Sequence, residues 1–101
     1  MLKIIALCAN GMGTSSMIEQ KVQNIADELG VEAKVTHASL GSGKTKAKGY
    51  HVVFCSRAFV GDLTDLNSEN TQVIGVRNLM SDQEIRKKLI EYLDEKGIPH
   101  K

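Results

Sequence analysis

An α/β fold, with an open parallel sheet and helices on both faces, follows from three observations in the 101-residue chain. Apolar strand-like runs alternate with segments of helical spacing. The first run, Leu2, Ile4, Ile5, Ala6 and Leu7, is nearly continuous, as in a strand buried on both faces. It stops at a glycine-containing loop that leads straight into a helical pattern.

That helix carries Ile18, Val22, Ile25 and Leu29 on one face. Ser and Thr precede it as capping residues, and Gly30 stands where a C-terminal glycine belongs. Residues 31–38 alternate, with Val31, Ala33 and Val35 against Glu32, Lys34 and Thr36, which predicts a half-buried second strand. The connection 39–49 has three glycines and almost no apolar content, so it reads as a mobile loop or one poor helical turn. Residues 50–55, with Val52, Val53 and Phe54, give a third strand; 58–63 give a short helix; 71–76 give a fourth strand. Ser81 and Glu84 match a capping box, Ile85, Leu89 and Leu93 form the buried stripe behind it, and Gly97 and Pro99 end the helix. With the strands in the order 2-1-3-4, residues 1–101 make a single domain.

Composition narrows the function. Hydrophobic residues are 42% and charged residues 25%, ordinary values for a globular domain. A net charge of +1 provides no global basic field for nucleic acid, and 4% aromatics leave no stacking platform. No apolar run approaches the roughly 18 residues of a membrane span. The N-terminus lacks the long apolar core of a signal peptide and reads as mature. Cys8 and Cys55 lack metal spacing, so no metal site or cofactor is expected, and reduced thiols fit a cytoplasmic protein.

Cys8 is the residue that needs explaining. Ligands of open parallel sheets bind beyond the strand carboxyl ends where the strand order reverses, here between the first and third strands. Cys8 opens the loop at that point. Asn10, Gly11, Met12, Gly13, Thr14, Ser15 and Ser16 follow. Asn and Gly tolerate positive φ, so successive N–H groups can form an anion nest. A helix starting near Ser15 adds free N–H groups and a positive dipole end, and three hydroxyls add donors. Such a site favours thiolate over thiol and cradles a phosphoryl group on that sulfur.

Other patterns are incomplete. A nucleotide loop around Gly43-Lys44-Thr45 would need glycine at position 38, which is Ala38. Lys44, Lys46 and Lys48 are a solvated face or a docking patch for an acidic partner. A phosphatase loop of the C-x5-R-[ST] kind would need arginine at position 14, which is Thr14. Nothing in the sequence marks a general acid for a leaving alkoxide; Asp62 and Asp65 stay open. Cys55 reads as packing or as half of a dithiol switch. His37, His51 and His100 receive no role. Arg77 and Asn78 touch a substrate or partner, or are solvated.

The run Cys8-x-Asn10-Gly11-x-Gly13-Thr14-Ser15-Ser16-Met17 resembles the phosphocysteine loop of IIB components of the bacterial sugar phosphotransferase system, of the lactose/galactitol/ascorbate type. Residues 73–79, followed by Ser81, resemble the fourth strand and last helix start of the ascorbate branch. The resemblance spans residues 2 to about 93. It implies a flavodoxin-like cytoplasmic phosphotransferase, monomeric when isolated, that takes phosphate from a IIA phosphohistidine onto Cys8. Residues 10–16 would cradle the phosphate. The phosphate would then pass to a sugar, L-ascorbate, at a IIC membrane transporter that holds the protein at the inner membrane face. A cradle without arginine suits a relay, which must release what it accepts. A low-molecular-weight phosphatase or arsenate-reductase-like enzyme, and a non-catalytic phosphorylation-dependent regulator, are the competing readings.

Overall fold

The computed structural model describes residues 2–8, 12–66, 71–77 and 81–100, with the side chains of 8, 12–16, 40, 42, 44, 62 and 64–66 outside that description. Strands β1 (Leu2–Cys8), β2 (Ala33–Ser39), β3 (Val52–Ser56) and β4 (Gln72–Val76) form one sheet in the order β2-β1-β3-β4. All three pairings are parallel, as expected, with Ile4 opposite both Val35 and Val52.

Side-chain alternation along β1 divides the core. Ile4 and Ala6 join Val52, Phe54, Ile74 and Val76 on one face. Helices α1 (Met12–Glu28) and α3 (Asp82–Lys96) cover that face with Ile18, Val22 and Ile25, and with Ile85, Leu89 and Leu93. Ile5 and Leu7 join Val53 and Cys55 on the other face, beneath Ala47 and Leu63. Both expected stripes are buried; Ala26 extends the first and Tyr92 the second.

Helix ends follow from local chemistry. Gly30 takes φ 73°, its N–H donates to Asp27 O at 3.1 Å, and Val31 N–H donates to Ala26 O at 3.0 Å. Gly97 repeats the motif at φ 69°, with Ile98 N–H donating to Leu93 O at 2.8 Å. These are Schellman closures, which need a left-handed residue that glycine provides without a Cβ penalty. Ser81 caps α3 by accepting from Glu84 N at 3.4 Å, one arm of the expected capping box. The Glu84 carboxylate reaches back to accept from Arg77 N at 2.9 Å.

The connection 39–49, expected as a mobile loop or one poor helical turn, is helical and longer than one turn. Ser39 closes β2, α2 runs over Leu40–Lys46, and a 3-10 turn covers Ala47–Gly49. Tertiary packing overrides a poor propensity here. Ala47 is buried, and a Cβ on Gly43 would stand 2.2 Å from Leu7 Cδ2 and 3.0 Å from Ala38 Cβ. The glycine that weakens the helix is what lets it lie against the sheet. The short helix expected at 58–63 is a 3-10 segment, Arg57–Leu66. Gly75 of β4 admits that segment, since a Cβ there would meet Val60 Cγ2 at 2.2 Å.

Two glycine substitutions in α2 should therefore move stability in opposite directions. A methyl group on Gly41 would have nothing within 4 Å, so Gly41→Ala should stabilise by up to about 1 kcal/mol. Gly43→Ala gains the same propensity, but overpacking against the buried Leu7 costs about 1–3 kcal/mol and should win. Denaturant midpoints check this; equal shifts for both variants would contradict the packing argument.

Candidate functional site

Cys8 is the last residue of β1, paired in register with Ser39. Continuing the β1–β3 register sets position 8 level with Ser56 at the end of β3. The strand order reverses between these two strands: α1 leaves β1 on one face, while α2 precedes β3 on the other. Cys8 therefore sits at the topological switch point, at the carboxyl edge where open parallel sheets bind ligands.

Asn10 and Gly11 lie outside the described residues. Met12, Gly13, Thr14, Ser15 and Ser16 form the opening of α1, which starts at Met12 and not near Ser15 as the sequence suggests. Gly13 is thus helical; among the described residues only Gly30 and Gly97 have positive φ. The donors available at this point are correspondingly different from a purely glycine-built nest. The first turn of an α-helix leaves its N–H groups without intrahelical acceptors and carries the positive end of the dipole. Only three residues separate the end of β1 from the start of α1, which limits how far this helix mouth can lie from the backbone of Cys8.

Cys55 has the opposite environment. It is fully buried with Ile5, Leu7 and Val53, and its Sγ lies 3.9 Å from Ile74 O. Burial pushes its thiol from the ordinary 9.0 up to about 11. The structure favours packing over a redox role. A pH test follows from the sign of this shift. Below pH 9 the thiol is protonated in both folded and unfolded chains, and its contribution is fully present. Above that the unfolded chain ionises first, so about 2–3 kcal/mol of stability should be lost between pH 9 and 11. Cys55→Ala should remove this component. Chemical denaturation of both proteins across that range checks it, and parallel curves would contradict it.

The histidines have structural partners. His51 Nδ1 accepts from Lys3 N at 2.9 Å, His37 Nδ1 lies 3.0 Å from Glu19 Oε1, and His100 Nε2 lies 2.7 Å from Asp94 Oδ1. Arg77 is exposed after β4 and is brought together with Arg57, Lys87 and Lys88, three residues that sequence reasoning does not single out. Their convergence becomes legible only when the end of β3, the end of β4 and the first half of α3 are known to be neighbours. Asn78 lies outside the described residues, as do the side chains of Lys44, Asp62 and Asp65; Lys46 and Lys48 are not buried.

The architecture is that of a flavodoxin-like α/β domain whose first strand ends in a cysteine. The family model for the lactose/cellobiose-specific IIB subunit of the phosphotransferase system matches residues 3–91, and the chain belongs to that family. Its members are phosphotransferases of sugar uptake, which gives the enzyme class of this chain. A Mycoplasma pneumoniae protein named ascorbate-specific PTS system EIIB component is 37% identical over 91% of this chain and 95% of its own length. An Escherichia coli O157:H7 protein of the same name is 29% identical over 93% and 91%. The lactose-specific IIB domain from Streptococcus pneumoniae superposes with a TM-score of 0.70 at 18% identity, covering 89% of this chain and 95% of that one. No described helix is long and apolar enough to cross a membrane.

Proposed function

We propose that the chain carries phosphate on Cys8, between a IIA phosphohistidine and a sugar bound by a IIC transporter, in the cytoplasm at the inner membrane face. One observation carries the reading: Cys8 ends the strand at the switch point, and the mouth of α1 opens after three intervening residues. In the first step the Cys8 sulfur attacks phosphorus, an S–P bond forms, the N–P bond breaks, and the imidazole takes a proton. In the second a sugar hydroxyl attacks phosphorus, the S–P bond breaks, and the hydroxyl proton leaves to solvent. Asn10, Gly11 and the opening of α1, Met12 to Ser16, hold the phosphoryl oxygens. Backbone amides and hydroxyls suffice, because phosphoryl transfer rests on positioning and charge stabilisation. The names of the relatives support L-ascorbate as the sugar.

The test is intact mass after incubation with the general phosphotransferase components and a phosphorylated IIA protein. A single phosphate adduct should form on the wild type and on Cys55→Ala, and not on Cys8→Ser. Vesicles bearing the IIC transporter and ascorbate should then discharge it. Turnover of a generic phosphoester by the isolated chain would favour a phosphatase instead. Stable phosphorylation without discharge to any sugar would favour a regulator.

A further inference from the structure

An open cleft of about 930 Å³ lies beside the carboxyl end of β4. Gly75 of β4, Arg57 of the 3-10 segment, Arg77, and Lys87 and Lys88 of α3 line it, with Glu84 as its carboxylate. Glu84 is engaged with the backbone, since its Oε2 accepts from Arg77 N at 2.9 Å. Other cations nearby are neutralised within the chain: Lys21 pairs with Asp82 at 2.8 Å, and Arg86 pairs with Glu28. Among the described residues, none of Arg57, Arg77, Lys87 and Lys88 is ion-paired. A local cluster of four cations stands out on a chain whose net charge is only +1.

The cleft shares the sheet's carboxyl edge with Cys8. β1 and β4 are two strand positions apart, roughly 10 Å at the usual strand spacing. That exceeds the Debye length of about 8 Å at physiological salt, so the cluster acts on the surface of an approaching partner and not on the thiol itself. Encounter with a phosphorylated donor brings a phosphoryl dianion toward a thiolate, and these repel. The residues after Cys8 contain no cation through Ser16 to offset that repulsion.

We infer that this cleft docks an acidic surface of the protein that donates the phosphoryl group, an inference that rests on the carrier reading above. Arg57 and Arg77 supply fork-shaped guanidinium contacts to carboxylates on one side of β4's end. Lys87 and Lys88 supply point charges from α3. The cluster steers and orients the donor, while Cys8 receives the phosphate.

The experiment measures phosphoryl uptake from the phosphorylated IIA protein as a function of donor concentration and salt. Arg57→Glu/Arg77→Glu is compared with Lys3→Glu/Lys34→Glu, an equal charge change on exposed residues at the amino end of β1 and β2. The cleft pair should lower the second-order rate constant by roughly 10- to 100-fold at low salt, with the deficit shrinking as salt rises. The rate at saturating donor should stay near wild type, and the control pair should change uptake by less than about 3-fold. Arg57→Gln/Arg77→Gln should show a smaller deficit of the same kind, and circular dichroism checks that all variants fold. Equal effects from the two pairs, or an effect on the saturated rate alone, would overturn the inference. Normal uptake by the cleft pair, together with loss of binding to vesicles containing anionic lipid, would assign the cleft to the membrane and also overturn it. A wild-type chain that accepts no phosphate would bring down the carrier reading; normal uptake by both pairs would remove this inference alone.

Discussion

Cys8→Ser should abolish sugar phosphorylation by the reconstituted system, lowering the rate on the order of 10⁴-fold or more, while leaving the fold intact. A serine hydroxyl stays protonated at neutral pH, and a helix mouth that stabilises a thiolate cannot ionise it to a useful extent. Position 8 ends β1, and its backbone pairing with Ser39 does not depend on the side chain, so the thermal transition should move little. Cys55→Ala is the matched control: that sulfur lies within the apolar cluster on the second face of the sheet, and its loss should be read in stability and not in transfer. Coupled assays with purified donor and transporter vesicles measure the difference. Retention of more than about a tenth of wild-type transfer by Cys8→Ser would argue for a different acceptor.

The largest expected effect on the fold belongs to Phe54→Ala. Phe54 is the bulkiest fully buried side chain, placed on β3 between β1 and β4 and beneath α1 and α3. Removing its ring costs the transfer free energy of the lost carbons and leaves a cavity that two rigid helices cannot collapse. Together these cost about 3–5 kcal/mol, against a total of about 5–15 kcal/mol for a domain of this kind. The thermal midpoint should fall by roughly 15–30 °C. A fall of only a few degrees would mean that the helices relax onto β3, and that the core is less tightly specified than its burial implies.

The order of elements is legible in the sequence because the two periodicities are strong. Val52, Val53, Phe54 and Cys55 are all buried, as a central parallel strand requires, and the spacing of Ile85, Leu89 and Leu93 names the buried face of α3. Gly30 and Gly97 mark helix ends because each closure needs a left-handed residue. Helix α2 is legible only as one of two options, a mobile loop or one poor helical turn. Its sequence has two glycines, and the reason one of them is tolerated, contact of Gly43 with Leu7 and Ala38, exists only in the folded chain. The start of α1 is obscured for a related reason. Gly13 and the hydroxyl residues after it have weak helix preference, so sequence alone makes the loop too long and the helix too short.

The candidate site is legible in part. The position of Cys8 at a switch point follows from the strand order, which the alternation of strands and helices suggests. The cluster of Arg57, Arg77, Lys87 and Lys88 is hidden, because it comes from three separate stretches of sequence that meet only where β4 lies against both the 3-10 segment and α3. A run of lysines such as Lys44, Lys46 and Lys48 attracts notice along a sequence; a convergent set does not.

Everything functional turns on the identity of the atom that carries the phosphate, and ³¹P NMR of the chain charged by its phosphorylated donor reads it directly. A carrier that works through Cys8 predicts one resonance with the shift of an S–P bond, absent in Cys8→Ser and unchanged in Cys55→Ala. A resonance from an N–P bond, assigned to His37, His51 or His100, or an S–P signal that persists in Cys8→Ser, would contradict it.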